Sequence, residues 1–200
     1  LFADHALSQG CSFCVIDDKK YKKSEKHILV DDVLICLQEL ASLHRTKLAC
    51  SVIAITGSNG KTTSKELISN VLSKKYNVLS TEGNLNNHIG VPLTLLKLNK
   101  NHQFAVIEMG ANHLKEIELL CEIAKPNFGL ITNIGKAHVE GFGSIDNILK
   151  GKTELYRYLK KNNGTVFVNS DDKKLSKNAT GLNSISYGNG SMYASQIIID

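Results

Sequence analysis

The sequence predicts an α/β protein: a domain built on a mostly parallel sheet, preceded by part of a small α/β domain. Three observations predict it. Near-continuous apolar runs alternate with amphipathic helical stretches from residue 51 onward, the pattern of a parallel sheet covered on both faces. A Gly-Lys-Thr triplet, Gly60-Lys61-Thr62, follows the first of these runs. Polar and glycine-rich stretches follow the other runs, where parallel sheets gather their ligands.

Taken in order, residues 3–9 fit a short helix, and 13–16 and 28–30 fit short strands. Asp31 or Asp32 can cap a helix running to about His44, with Val33, Leu34, Leu37, Leu40 and Ala41 on one face. The stretch "HRTKLACS" then reads as a hinge. The expected domains are therefore 1–48 and 49–200. In the second, strands are expected at 52–56, 77–80, 104–108, 128–134 and 165–169, and helices at about 61–75, 91–98, 114–124 and 144–161. The chain has no initiator Met, and its last residues, "MYASQIIID", open a further strand-like run. We expect it to begin and end inside larger domains.

Composition excludes several classes. Hydrophobic content of 42% and charged content of 22% are those of a globular protein. No apolar run approaches the ~20 residues that span a bilayer, and the N-terminus has no basic region followed by an apolar core. No membrane insertion is expected. The net charge of +5 comes almost wholly from lysine, since Arg45 and Arg157 are the only arginines. An arginine-rich stripe with interleaved aromatics is missing, so no nucleic-acid partner is expected. Cys11 and Cys14 form a lone C-x-x-C and read as a buried pair of reduced thiols; Cys36 and Cys50 read as small core residues. Together they suggest the reducing cytoplasm.

The chemistry centres on "TGSNGKTT". Gly57, Ser58, Asn59 and Gly60 can turn backbone amides toward phosphate oxygens, and the following helix adds its N-terminal partial charge. Lys61 can reach terminal phosphates, the Thr62 hydroxyl can ligate Mg²⁺, and Thr63 opens the helix beside it. The usual loop has a glycine five residues before the Gly-Lys-Thr; here that position is Ile55. Glu108 ends a buried strand, where a carboxylate needs a partner or a metal. His138 lies in a glycine-punctuated loop after the next strand, where it could be functional or structural. Asn84, Asn86 and Asn87 could bind a ligand or serve turns before a helix opened around Pro92. Lys152 alone reads as a solvated lysine.

Read together, "TGSNGKTT", "GNLNNHIGVP", "IEMGANH" and "ITNIGKAHVEGFGS" resemble the Mur ligase family, from near the start of the chain to about Asp172. The first looks like that family's shortened phosphate loop, which dispenses with the earlier glycine. The resemblance implies an ATP- and Mg²⁺-dependent ligase that phosphorylates a carboxylate and passes the acyl group to an amine. It is nearest the branch that joins D-Ala-D-Ala to UDP-MurNAc-tripeptide in peptidoglycan synthesis, acting as a cytoplasmic monomer. By resemblance, Lys61 and the loop amides would stabilise the phosphoryl group, and Thr62 would hold one Mg²⁺. Glu108 and His138 would hold a second, joined by a carbamylated Lys152. Asn84, Asn86 and Asn87 would line the nucleotide-peptide. Gly151 stands where relatives are expected to carry alanine, which should loosen the helix. The family has three domains, so this chain alone is expected to have little or no ligase activity. Folylpolyglutamate synthases, other Mur ligases and a non-ligating P-loop module are the alternatives.

Overall fold

A computed structural model describes residues 2–135 and 139–189, and the chain divides into two compact units, Leu1–Leu40 and Ala41–Asp200. In the smaller unit, α1 (Phe2–Ser8) precedes β1 (Cys14–Ile16), a single 3-10 turn (Lys19–Tyr21) and β2 (His27–Leu29). The two strands are parallel, with Cys14 opposite His27. Of the two candidate caps, Asp32 opens α2 (Val33–Thr46), its carboxylate accepting from the amides of Leu34 at 2.7 Å and Ile35 at 2.9 Å. The buried stripe of α2 ends in Ala41 and Arg45, with Leu34 and Leu37 half-buried; Val33 and Leu40 are exposed, contrary to the expected face. The C-x-x-C expectation also fails. Cys11 is exposed and Cys14 half-buried, because β1 has only three residues and little to pack beneath. Cys36 is only half-buried, whereas Cys50 is buried.

The larger unit continues with β3 (Ser51–Thr56), α3 (Lys61–Leu72), β4 (Val78–Ser80), α4 (Gly90–Leu95), β5 (Phe104–Glu108) and α5 (Glu116–Ala124). Among the described residues it goes on with β6 (Phe128–Ile131), α6 (Val139–Phe142), α7 (Ile145–Lys152), α8 (Glu154–Lys161), β7 (Thr165–Asn169), α9 (Lys173–Asn178) and β8 (Asn183–Tyr187). Among the described residues the six strands of this sheet lie in the order β4-β5-β3-β6-β7-β8, all parallel. From β3 the chain steps outward to β4, then returns through β5 and crosses to β6. With right-handed crossovers that reversal puts α3 on one face and the later helices on the other.

The packing follows. Val52 and Ala54 of β3 point into a large core with residues of α4, α5, α7 and α8, while Ile53 and Ile55 point the other way, against Ile68 and Leu72 of α3. Both faces are covered, so the strand reads as unbroken apolar sequence. Arg45 is buried and donates to the carbonyls of Ala124 and Lys125 and to Asn127 Oδ1, which also accepts from the Val52 amide. It fastens the amino end of the sheet.

Two of the expected elements are broken or cut short for a local reason. The helix expected at 144–161 breaks at Thr153, whose hydroxyl donates back to the carbonyls of Leu149 and Lys150 and competes with the helical ladder. The strand expected to reach 134 ends at Ile131, because Thr132 and Asn133 turn to the phosphate loop. Among the described residues no helix is long and apolar enough to cross a membrane.

Candidate active site

The order of strands reverses at β3, between β5 and β6, and the loops beyond the carboxyl ends of these three strands meet there. The loop after β3 is braced by the loop after β6. Ser58 donates its hydroxyl to the Gly135 carbonyl at 3.2 Å and accepts from the Gly135 amide at 2.8 Å. Asn59 gives its amide to Asn133 Oδ1 at 3.1 Å, and its carbonyl accepts from the Thr132 hydroxyl at 2.6 Å and the Asn133 amide side chain at 3.1 Å. Gly57 sits at φ 142°, and a Cβ there would lie 2.0 Å from Thr132 Oγ1. Only glycine permits that approach. Gly60, at φ 74°, is the N-cap of α3 and provides no side-chain cap, so the first amides of the helix face outward as an anion site. Lys61 folds over the loop, its ammonium donating to the carbonyls of Gly57 at 3.0 Å and Ser58 at 3.3 Å. Thr63 is exposed on the first turn. Ile55, where the longer loop has glycine, is wholly buried in the core beside α3.

Glu108, 2% exposed, ends β5 beside this loop. Its carboxylate accepts from the Thr62 hydroxyl at 2.8 Å and from the Asn86 side-chain amide at 2.7 Å. Its backbone amide donates to Thr81 Oγ1 at 2.9 Å. Asn86 is held twice, since its carbonyl accepts from the Gly110 amide at 2.8 Å. Lys61, Thr62, Glu108 and Asn86 thus meet in one place. A cavity of about 540 Å³ opens beside them, lined among others by Lys61, Asn86, Asn87, Gly110, Ala111 and Glu116.

The three asparagines have different surroundings. Asn87 Oδ1 accepts from the amides of Ile89 at 3.1 Å and Gly90 at 2.8 Å, which is turn chemistry opening α4. Asn84 is exposed, and its carbonyl accepts from the Asn86 amide at 2.7 Å. His138 lies outside the described residues. Among the described residues no group of three His, Cys, Asp or Glu side chains is placed to hold a metal.

Lys152 is not a surface lysine. It is 1% exposed at the end of α7, its ammonium donating to the Ala111 carbonyl at 3.2 Å and lying 5.5 Å from the Phe142 ring centre. Gly151 has a packing reason: a Cβ there would lie 2.6 Å from Phe142 Cε1. Burial, and then the ammonium of Lys61, pull the Lys152 pKa down to about 8, against the opposing pull of Glu116 and Glu154. The unfolded lysine titrates near 10.4, so between these values the unfolded chain binds more protons and stability rises with pH. We expect wild type to gain about 3 kcal/mol more than Lys152→Met between pH 7 and 10.5. Urea unfolding at both pH values measures it. The comparison isolates Lys152 because the buried thiols and tyrosines titrate alike in both proteins; parallel profiles would refute it.

Sequence reasoning missed several residues that build the site. Thr132 and Asn133 fall inside the strand expected at 128–134, yet their side chains brace the Asn59 carbonyl. Glu154, 4% exposed, accepts from the amides of Lys115 at 2.7 Å and Glu118 at 2.9 Å, fixing the start of α5. Thr81 and Lys65 gave no local signal.

Residues 55–198 match the Mur ligase middle domain. The chain is 41% identical to the UDP-N-acetylmuramoyl-tripeptide–D-alanyl-D-alanine ligase of Haemophilus influenzae, over 98% of this chain and 44% of that protein. It is 40% identical to the enzyme of the same name from Bacillus subtilis, over 94% of this chain and 41% of that protein. A crystal structure of MurF ligase from Thermotoga maritima in complex with ADP superposes with a TM-score of 0.84 at 33% identity, covering 92% of this chain and 43% of that one. A crystal structure of MurF from Acinetobacter baumannii gives 0.82 at 36% identity, over 94% and 42%. The chain therefore spans about two fifths of the length of these relatives.

Proposed function

Because this chain belongs to the Mur ligase family, we propose that it is the ATP-binding portion of a cytoplasmic, monomeric ligase that adds D-Ala-D-Ala to UDP-MurNAc-tripeptide. In this reading residues 1–48 belong to the nucleotide-peptide domain and 49–200 to the ATPase domain. The activity is proposed for a protein of its relatives' length. One observation carries the reading: a buried carboxylate, Glu108, hydrogen-bonds the Thr62 hydroxyl at the mouth of a phosphate loop.

The donor set suits the groups this chemistry requires. Glu108 and Thr62 are hard oxygen donors, and the carboxylate is held by neutral partners, so its charge is open to a divalent cation. Bound Mg²⁺ would neutralise charge between the phosphates and the acyl oxygen. Gly57, Ser58, Asn59, Gly60, Lys61, Thr62 and Thr63 would hold the phosphates of ATP. His138 would join Glu108 at the metal. With a pKa near 8, about a quarter of Lys152 is neutral at pH 7.5, the form that adds CO₂ to give a carbamate and a further oxygen ligand.

A carboxylate resists amines because its charge repels them. The tripeptide carboxylate would attack the γ-phosphorus, forming an acyl phosphate while the bond to ADP breaks. The D-Ala-D-Ala amine would then attack the acyl carbon, lose its proton and expel phosphate. Lys61, drawn off the Gly57 and Ser58 carbonyls, would follow the transferring phosphoryl group. Asn86 would hold Glu108 while Asn84 and Asn87 face the nucleotide-peptide. ADP release by a protein of its relatives' length tests this. It should require both UDP-MurNAc-tripeptide and D-Ala-D-Ala. Turnover without an acceptor would indicate a simple ATPase, and turnover with folate substrates a folylpolyglutamate synthase.

A further inference from the structure

We infer that Lys65 is a positioning residue for this site: its ammonium anchors the end of β4 and, through Thr81, fixes Glu108 against Thr62. The inference rests on the ligase reading above. Lys65 lies one helical turn beyond Lys61 on the sheet-facing stripe of α3 and is 1% exposed. Its ammonium donates to the Thr81 carbonyl at 2.5 Å and pairs with Glu66 at 2.9 Å. Charge-assisted bonds of this kind are short and strong.

Thr81 is the junction. β4 has only three residues and, among the described residues, lies at the sheet edge, so its end has little of its own to stop it fraying. The Thr81 amide donates to the Val106 carbonyl, extending the ladder one step past Ser80. That step sets Thr81 Oγ1 to receive the Glu108 amide at 2.9 Å. Lys65, Thr81 and Glu108 form one chain of contacts ending at the Thr62 hydroxyl.

Stability does not explain a lysine here. A buried ammonium is costly, and an apolar side chain of similar volume is often neutral or better. Methionine would fill the same space on α3, but it could not hold the Thr81 carbonyl. The charge is therefore accounted for by what it positions.

The test is calorimetric binding of AMP-PNP, a nonhydrolysable ATP analogue, with and without Mg²⁺, to a protein of its relatives' length that carries this chain. Metal-free affinity reports the loop, and the enhancement by Mg²⁺ reports Thr62 and Glu108. Lys65→Met should bind the metal-free nucleotide within threefold of wild type and lose at least tenfold of the Mg²⁺ enhancement. Thr81→Val, which removes only the acceptor for the Glu108 amide, should lose a similar factor. The double variant should lose no more than either alone. If Lys65→Met does not fold, Thr81→Val decides. An enhancement within threefold of wild type in the folded variants, or equal losses with and without Mg²⁺, would overturn the clamp and leave the ligase reading standing. Failure of wild type to bind the nucleotide at all would overturn both.

Discussion

Glu108→Gln is expected to slow ligation by about a thousandfold, equivalent to about 4 kcal/mol at the transition state. The substitution preserves shape and can preserve hydrogen bonds to Thr62 and Asn86, which now meet the carboxylate at 2.8 and 2.7 Å. What it removes is the negative charge. Thermal stability should change little, because the residue lies among neutral donors and its replacement has the same volume. The loss should appear in turnover and in the Mg²⁺ concentration needed, not in the melting temperature. Steady-state ADP release by a protein of its relatives' length, across a Mg²⁺ series, measures it. Activity within threefold of wild type would remove Glu108 from the site. Glu108→Ala is a poorer probe, since it also strands the buried donors of Asn86 and Thr62.

Gly57→Ala should have the second large effect, on the shape of the site. The added Cβ would lie 2.0 Å from Thr132 Oγ1 and 3.1 Å from the Thr132 amide, and the backbone is at φ 142°. Both the crowding and the dihedral disfavour alanine. The loops after β3 and β6 must then separate, breaking the contacts of Asn59 with Thr132 and Asn133. We expect a loss of about 3 kcal/mol in stability and at least a hundredfold in nucleotide affinity, equivalent to about 2.7 kcal/mol. Gly60→Ala is the control. It shares a positive φ, 74°, but a Cβ there meets nothing within 4 Å. Its cost should stop at about 1–2 kcal/mol of backbone strain. Urea unfolding and calorimetry of both variants compare them, and equal losses would show that the Thr132 contact is unimportant.

The parallel sheet was legible because each of its strands needs apolar residues on both faces. Ile53 and Ile55 meet one core and Val52 and Ala54 the other, so no alternation interrupts the run. The phosphate loop was legible for a local reason, since glycine, lysine and threonine act through backbone and helix geometry a few residues long. The same logic explains Ile55: the strand requires it in the core, and the loop turns at Gly57 instead. Nonlocal contacts were not legible. Nothing near Asn86 in sequence reveals that its side chain turns to Glu108, 22 residues away. Nor does the sequence around Lys152 show its burial, which depends on Ala111 from the β5 loop and on Phe142. α9 and β8 were overlooked because one is short and lysine-rich and the other is mostly exposed.

The most direct test follows oxygen. UDP-MurNAc-tripeptide labelled with ¹⁸O in its acceptor carboxylate is incubated with a protein of its relatives' length, ATP, Mg²⁺ and D-Ala-D-Ala, and the released phosphate is analysed by mass spectrometry. An acyl-phosphate route carries one labelled oxygen from the carboxylate into each phosphate. Phosphate free of label, with its new oxygen taken from water, would show that the loop serves hydrolysis and would contradict the ligase assignment.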